Sequence, residues 1–201
     1  MRTFAVSLVL MLTGLPAFAA EKGPAEGFTA LFDGKSLDGW KTVNTKDNFF
    51  VRDGVLVMNK GAGWLASDGT YGDFELRVRY RFVTPGADSG IFVRASLEGK
   101  NWTNKGYQVQ NMDNQTLGKF VGMGFKVKGE PLPDVVAKAK KPTGEWMDLV
   151  IRVEGTRGET TLNGQTVARS DDLQLKDGHL GLQAEGGVLE FERIDIKPIK
   201  N

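Results

Sequence analysis

The run "DFELRVRYRFV", residues 73–83, leaves the backbone little choice. Phe74, Leu76, Val78, Tyr80 and Phe82 alternate with Glu75, Arg77, Arg79 and Arg81, so a period of two sorts apolar from charged side chains where a period of 3.6 would mix them. A strand of this kind must bury one face and give the other to water or to ion pairs. Similar patterning marks "FFVRDGVLVMN", "SGIFVRAS", "GYQVQNM", "WMDLVIRVEG", "ETTLNGQTVA", "HLGLQAE" and "VLEFERIDIKPI" as strands. Asn163-Gly164 suits a type I′ hairpin turn, in which both central residues need positive φ, and Asp53-Gly54 and Asp177-Gly178 read as further turns. No amphipathic helix of useful length is evident, and in "PLPDVVAKAKKPTGE" the prolines Pro131, Pro133 and Pro142 predict a loop with at most one helical turn. Many antiparallel strands with one apolar face each are best buried as two packed sheets. The expected fold is therefore all-β, a two-sheet antiparallel β-sandwich, and a jelly roll because the chain is long for an immunoglobulin-like domain.

The first residues, "MRTFAVSLVLMLTGLPAFAA", combine a basic start at Arg2, an apolar run from Phe4 to Leu12 and small residues at Ala17 and Ala19. That is the pattern of a secretory signal peptide over residues 1–19, and Thr13, Gly14 and Pro16 cut the run short of the about 20 residues a membrane span needs. Residues 20–26 read as a tether and residues 27–199 as one domain, periplasmic or secreted, with no membrane insertion after cleavage. The absence of cysteine excludes disulfides and a lipid-modified N-terminal cysteine. The chain has 26 basic and 25 acidic residues, and losing Arg2 with the leader makes the numbers equal, which argues against nucleic acid as a partner.

"GYQVQNMDN" alternates apolar residues with uncharged amides and then reaches a carboxylate, Asp113. By strand parity Gln108 and Gln110 share a face, as do Phe92 with Arg94 and Gln183 with Glu185. Amides, a guanidinium, a carboxylate and an aromatic ring suit a saccharide, whose hydroxyls donate and accept while its C–H patches cover a ring. Trp102, in the polar stretch "LEGKNWTNKGY", is the tryptophan expected to meet ligand, whereas Trp40 and Trp146 border apolar runs and read as packing. Glu190 and Glu192 alternate with apolar residues on the last strand and read as a solvated face. A lone histidine, His179, and no cysteine exclude a zinc site of the usual ligand set, while an oxygen-ligand divalent cation such as calcium stays open.

Taken in order, "GFTALFDGKSLDGWK", "VRDGVLVMNKGAGWLASDGTYGDFELRVRYRF", "GADSGIFVRA", "GYQVQNMDN", "PTGEWMDLVIRVEG", "LNGQTVA" and "GHLGLQAEGGVLEFERIDIKPI" resemble the bacterial DUF1080 family, the 3-keto-disaccharide hydrolase domain. The resemblance implies a concanavalin-like jelly roll in an exported protein acting on oxidised glycosides. Where the family often has Glu and Asp, this chain has Gln108 and Asn114, and Glu185 stands where the family has Glu or His. A keto-sugar acidifies the neighbouring C–H, so cleavage needs a base, a donor for the enolate oxygen and an acid for the leaving group. On this reading Glu185 is base or acid, Asp113 the second carboxylate, and Arg94 or a bound cation the oxyanion partner. Gln108, Gln110, Gln183 and Trp102 would hold substrate. A carbohydrate-binding module without chemistry is the alternative that the amides suggest, and a structural sandwich with an empty groove is a third.

Overall fold

Each alternating run of the sequence is a strand in the computed structural model, which describes residues 23–200. The expected leader, residues 1–19, and the first part of the tether lie outside the described residues. Numbered in chain order, the larger sheet comprises β1 (Thr29–Ala30), β3 (Phe49–Arg52), β4 (Val55–Met58), β6 (Phe74–Phe82), β10 (Glu130–Pro131), β11 (Met147–Glu154), β12 (Arg157–Leu162), β13 (Gln165–Ser170) and β15 (Leu189–Pro198). The smaller comprises β2 (Trp40–Val43), β5 (Trp64–Tyr71), β7 (Gly90–Ala95), β8 (Gly106–Gln110), β9 (Phe120–Met123) and β14 (Gly178–Gln183). Spatial order is β10-β13-β12-β11-β6-β15-β4-β3 in the first, with β1 beside β15, and β2-β5-β14-β7-β8-β9 in the second. All pairings are antiparallel, as the sandwich expectation required.

β6 sits at the middle of the larger sheet with its five apolar side chains in the core, where Tyr80 lies edge-on to Phe82 and stacked near Phe191. Its charged face is a ladder of ion pairs: Arg79 bridges Asp148 (3.0 Å) and Glu192 (2.5 Å), and Arg81 meets Glu190 at 2.6 Å. Glu190 differs from the expected solvated residue, because two arginines, Arg52 and Arg81, close over it and leave it 5% exposed. A register shift between Phe191 and Arg193 inserts an extra residue in β15, so that Phe191 and Ile194 both face the core.

The hairpin turns follow the sequence at Asp53-Gly54 (φ 51° and 82°) and Asn163-Gly164 (φ 46° and 81°). Asp177-Gly178 is not a turn but the extended entrance to β14. The segment expected to be a loop carries a helix, α1 (Pro133–Ala139), because Pro133 occupies its first turn, where a missing N–H costs nothing. Val136 and Ala139 anchor that helix in the core.

Candidate active site

The smaller sheet turns Leu65, Ile91, Val93, Val109 and Leu182 into the core. Its other face carries a separate apolar cluster of Trp64, Ala66, Phe92 and Ala95, against which Trp102 and Met123 pack. Register sets the neighbours on this face: Phe92 lies opposite Gln108 and Gly181, Gly90 opposite Gln110, and Gln183 opposite Trp64. Two glycines make room for large side chains laid flat, since a Cβ on Gly181 would overlap the Trp64 indole and one on Gly90 the Gln108 amide. Trp64 meets Phe92 edge-on, with ring centroids 5.3 Å apart.

Beside this aromatic floor the polar side chains form one connected set. Gln108 Nε2 donates to Gln183 Oε1 at 2.6 Å, and both amides are buried, at 8% and 2% exposure. Gln110 Nε2 donates to Asp88 Oδ1 at 3.0 Å. Reciprocal backbone bonds of 2.8 Å between Asp88 and Gly186 bring Asp88 alongside Glu185. Both carboxyls are half-buried, and Glu185 lies within reach of the Asp88 charge. Burial, and secondarily the charge of Asp88, holds the Glu185 carboxyl above its ordinary range, while the Gln183 amide pulls it the other way. Burial likewise raises Asp88, against the hydrogen bonds from Ser89 and Gln110. Two carboxyls that each resist ionisation, on a face lined with amides and tryptophan, constitute a site that can take up and return a proton.

Of the residues expected here, Glu185, Gln110 and Trp102 lie at this face, half-buried, with the Trp102 indole N–H donating to the Ala184 carbonyl at 3.3 Å. Gln108 and Gln183 belong to the same set but lie beneath its surface, bonded to each other. Arg94 does not project with them. A bulge in β7 takes three residue steps from Phe92 to Ala95 against two from Gly181 to His179, and Arg94 takes up the difference with φ 49°. Its guanidinium instead bonds the carbonyls of Gly72, Gly155 and Leu175 and the Asp73 carboxylate (2.7 Å), where strand-connecting loops meet.

Asp113 has partners of its own. Its carboxylate pairs with Lys140 and accepts from Thr143 Oγ1 and the Gly86 N–H, tying three segments together. Burial opposes its ionisation, but the Lys140 ammonium and the two other donors outweigh burial and hold it below the usual carboxylate range. A depressed carboxyl contributes stability that is present above its unfolded value and lost as pH falls through the folded one. Asp113→Asn is thus expected to lower the thermal midpoint at pH 7 by about 2–4 °C, the equivalent of about 1 kcal/mol in a domain of this size, and to do little near pH 3. Thermal melts of both proteins at the two pH values check this, and equal losses at both would remove the carboxylate from the explanation.

Asp88 and Trp64 were not singled out from the sequence. Asp88 shares parity with Gly90 and Phe92 in "GADSGIFVRA", which is the signal that locates it. Two hollows lie elsewhere, about 520 Å3 beside Tyr107 and Phe125 and about 680 Å3 between Lys128, Arg152 and Arg169, and neither contains the amide and carboxylate set. Among the described residues no group of three or more His, Asp or Glu side chains is placed to hold a metal ion.

Residues 27–197 match the model of the 3-keto-alpha-glucoside-1,2-lyase-like domain. The chain belongs to that family. A Bacteroides thetaiotaomicron protein named 3-keto-disaccharide hydrolase is 30% identical, over 78% of this chain and 60% of its own length. The chain therefore spans about three fifths of that relative. A candidate glycosyl hydrolase of Parabacteroides distasonis has a similar structure, with TM-score 0.67 and 23% identity over 88% of this chain and 95% of that one. A carbohydrate binding module of Bacillus subtilis follows at TM-score 0.62 and 17% identity, covering 79% of this chain and 95% of the module. At these identities the structural likenesses establish the jelly-roll fold of this lyase-like domain and nothing about its chemistry.

Proposed function

We propose that the chain is an exported protein that cleaves 3-keto-glycosides, by elimination and rehydration or by net hydrolysis, with Glu185 as the proton-transferring group. The observation that carries this reading is the Glu185 and Asp88 pair on an amide-lined face, both carboxyls raised mainly by burial, in a member of the lyase-like family. The name of the Bacteroides thetaiotaomicron relative points to the same substrate class. Export rests on the leader pattern of residues 1–19.

The ketone at C3 acidifies the C2 proton, and a carboxylate of raised basicity is the better base for it. Glu185 takes that proton, the C2–H electrons form the enolate, and the enolate collapses to restore the ketone, forming C1=C2 as the C1–O bond breaks. The departing oxygen then receives the proton that Glu185 holds, which returns the carboxylate. Water adds back across C1=C2, its hydroxyl to C1 and a proton to C2, so that the sum is hydrolysis. Gln110 has a second amide N–H beyond the one bonded to Asp88, available to the enolate oxygen. Trp102, half-buried and packed over the buried Trp64, offers an apolar face for the ring C–H groups.

Incubation with a 3-keto-disaccharide should release the free sugar and keto-sugar, followed by chromatography, while the unoxidised disaccharide stays intact. Release from neither, with or without added divalent cations, sinks the reading. The half-buried Gln110 amide and Trp102 indole on one face suit a second reading, a sugar-binding module without chemistry. Calorimetric saturation by a glycan without any product would support that one.

A further inference from the structure

After Gln183 the chain leaves β14, and the carbonyls it carries there must find donors outside the ladder. Each finds a different one. Ser89 Oγ donates to the Gln183 carbonyl at 2.8 Å, and the Trp102 indole N–H donates to that of Ala184 at 3.3 Å. The Gly61 N–H donates to the Glu185 carbonyl at 3.0 Å and the Asp88 N–H to that of Gly186 at 2.8 Å. The N–H groups of Ala184 and Gly186 donate in turn to the carbonyls of Gly63 (2.9 Å) and Asp88 (2.8 Å). Glu185 therefore stands on a backbone held by three separate segments. The loop at Gly61 and Gly63 holds it through main-chain groups, whereas Trp102 holds it through a side chain.

Trp102 is itself placed by a closed loop. Residues 96–105 join β7 to β8, and the bonds from Ser96 N–H to the Lys105 carbonyl and from Asn104 N–H to the Glu98 carbonyl, each 2.8 Å, draw the loop together. Asn44 Nδ2 ties it across to the Gly99 carbonyl at 3.2 Å. At Gly99, with φ 144°, a Cβ would strike the Trp102 carbonyl, so glycine lets the loop double back there. The indole then packs half-buried on the cluster of Trp64, Ala66 and Phe92, with its N–H end on Ala184. Covering the C–H patch of a sugar needs only the face of that ring, and the N–H bond to Ala184 is a separate tie.

We infer that Trp102 is a positioning residue for Glu185: its indole N–H holds the Ala184 carbonyl and so sets where the carboxyl of the next residue stands. The inference rests on the reading of Glu185 as the proton-transferring group and deepens it, by giving Trp102 a part in the chemistry apart from stacking on a sugar. Proton transfer needs the carboxyl within about 2.6–3.2 Å of its target, and a misplacement of about 1 Å can cost about 10²-fold. A peptide released at Ala184 would let the carboxyl wander on that scale.

The test separates the ring from its N–H. Site-specific incorporation of 3-benzothienylalanine in place of Trp102 keeps the bicyclic ring and puts sulfur, which donates nothing, where the N–H was. With a 3-keto-disaccharide this protein should lose about tenfold in kcat while KM stays within about twofold, and 5-fluorotryptophan at the same place, which restores the N–H, should recover most of that loss. Without substrate, the amide hydrogens of Gly61, Ala184 and Gly186 should exchange about fivefold faster in the benzothienyl protein, while those of β6 keep their protection. An unchanged kcat, a rise in KM alone, no recovery with 5-fluorotryptophan, or unchanged exchange at the three amides overturns the inference. Exchange is read with no sugar present, so a failure of the proposed cleavage shows separately, as absent turnover by proteins whose three amides respond as described.

Discussion

Glu185→Gln is expected to reduce turnover of a 3-keto-disaccharide by about 10²–10⁴-fold, the usual span for removing a positioned proton-transfer group. The substitution keeps the side chain's shape and one acceptor oxygen, so the loss should fall on kcat more than on KM. Stability should move the other way. A carboxyl whose folded value is raised contributes stability that is complete below its unfolded value and lost as pH rises through the folded one. Glu185 and Asp88 are both of this kind, so at pH 7 the folded chain carries a burden that Gln relieves. The thermal midpoint of the variant should exceed that of the wild type at pH 7 and converge with it near pH 4. Steady-state kinetics and melts at the two pH values check both halves. Wild-type kcat in the variant would clear Glu185 of the proton-transfer role, whatever the melts show.

Arg94→Met should cost about 3–5 kcal/mol of stability, because it leaves a buried partner charge and several carbonyls without a donor. The Arg94 side chain is 1% exposed and Asp73, its ion-pair partner at 2.7 Å, is 13% exposed. Three backbone carbonyls, of Gly72, Gly155 and Leu175, also depend on the one guanidinium. Lysine cannot replace it, since a single ammonium does not span the fork that reaches three loops at once. Arg94 also holds a left-handed backbone, φ 49°, which methionine would occupy with no bonds to offset the strain. Urea unfolding of wild type, Arg94→Met and Arg94→Lys measures this, and a loss under about 1 kcal/mol in the Met variant would show that the buried fork is not a structural tie. Any protein that stays folded should bind and turn over substrate as before, because Arg94 lies away from the amide set.

The two outcomes mark where reading the sequence succeeds and where it stops. Period-two alternation named the core faces of β6, β11 and β15, and Asn-Gly and Asp-Gly named two hairpins, because these signals act between residues adjacent in the chain. Parity also set Gln110 and Glu185 on the outer face of the smaller sheet. It failed at Arg94, since one bulge residue reverses the parity that follows and no composition cue announces it. It failed at Pro133 for a related reason, a helix N-terminus being indistinguishable from a loop when the helix is seven residues long.

Parity places Asp88 on the face of Gly90 and Phe92, but it does not choose between Asp113 and Asp88 as the partner of Glu185. Asp88 follows Ala87 and Asp113 follows Met112, both near strand ends, and both are carboxylates at plausible spacing. Lys140, Thr143 and Gly86 meet around Asp113, whereas Gly186 pairs with Asp88 and sets it beside Glu185. The sequence by itself determined the strands, their buried faces and the family, since those depend on local periodicity and on the order of motifs. Only the tertiary structure decided which carboxylates are neutralised by a neighbour and which are left within reach of a like charge, because a carboxyl's proton affinity depends on burial and on charges brought close by strands far apart in the chain.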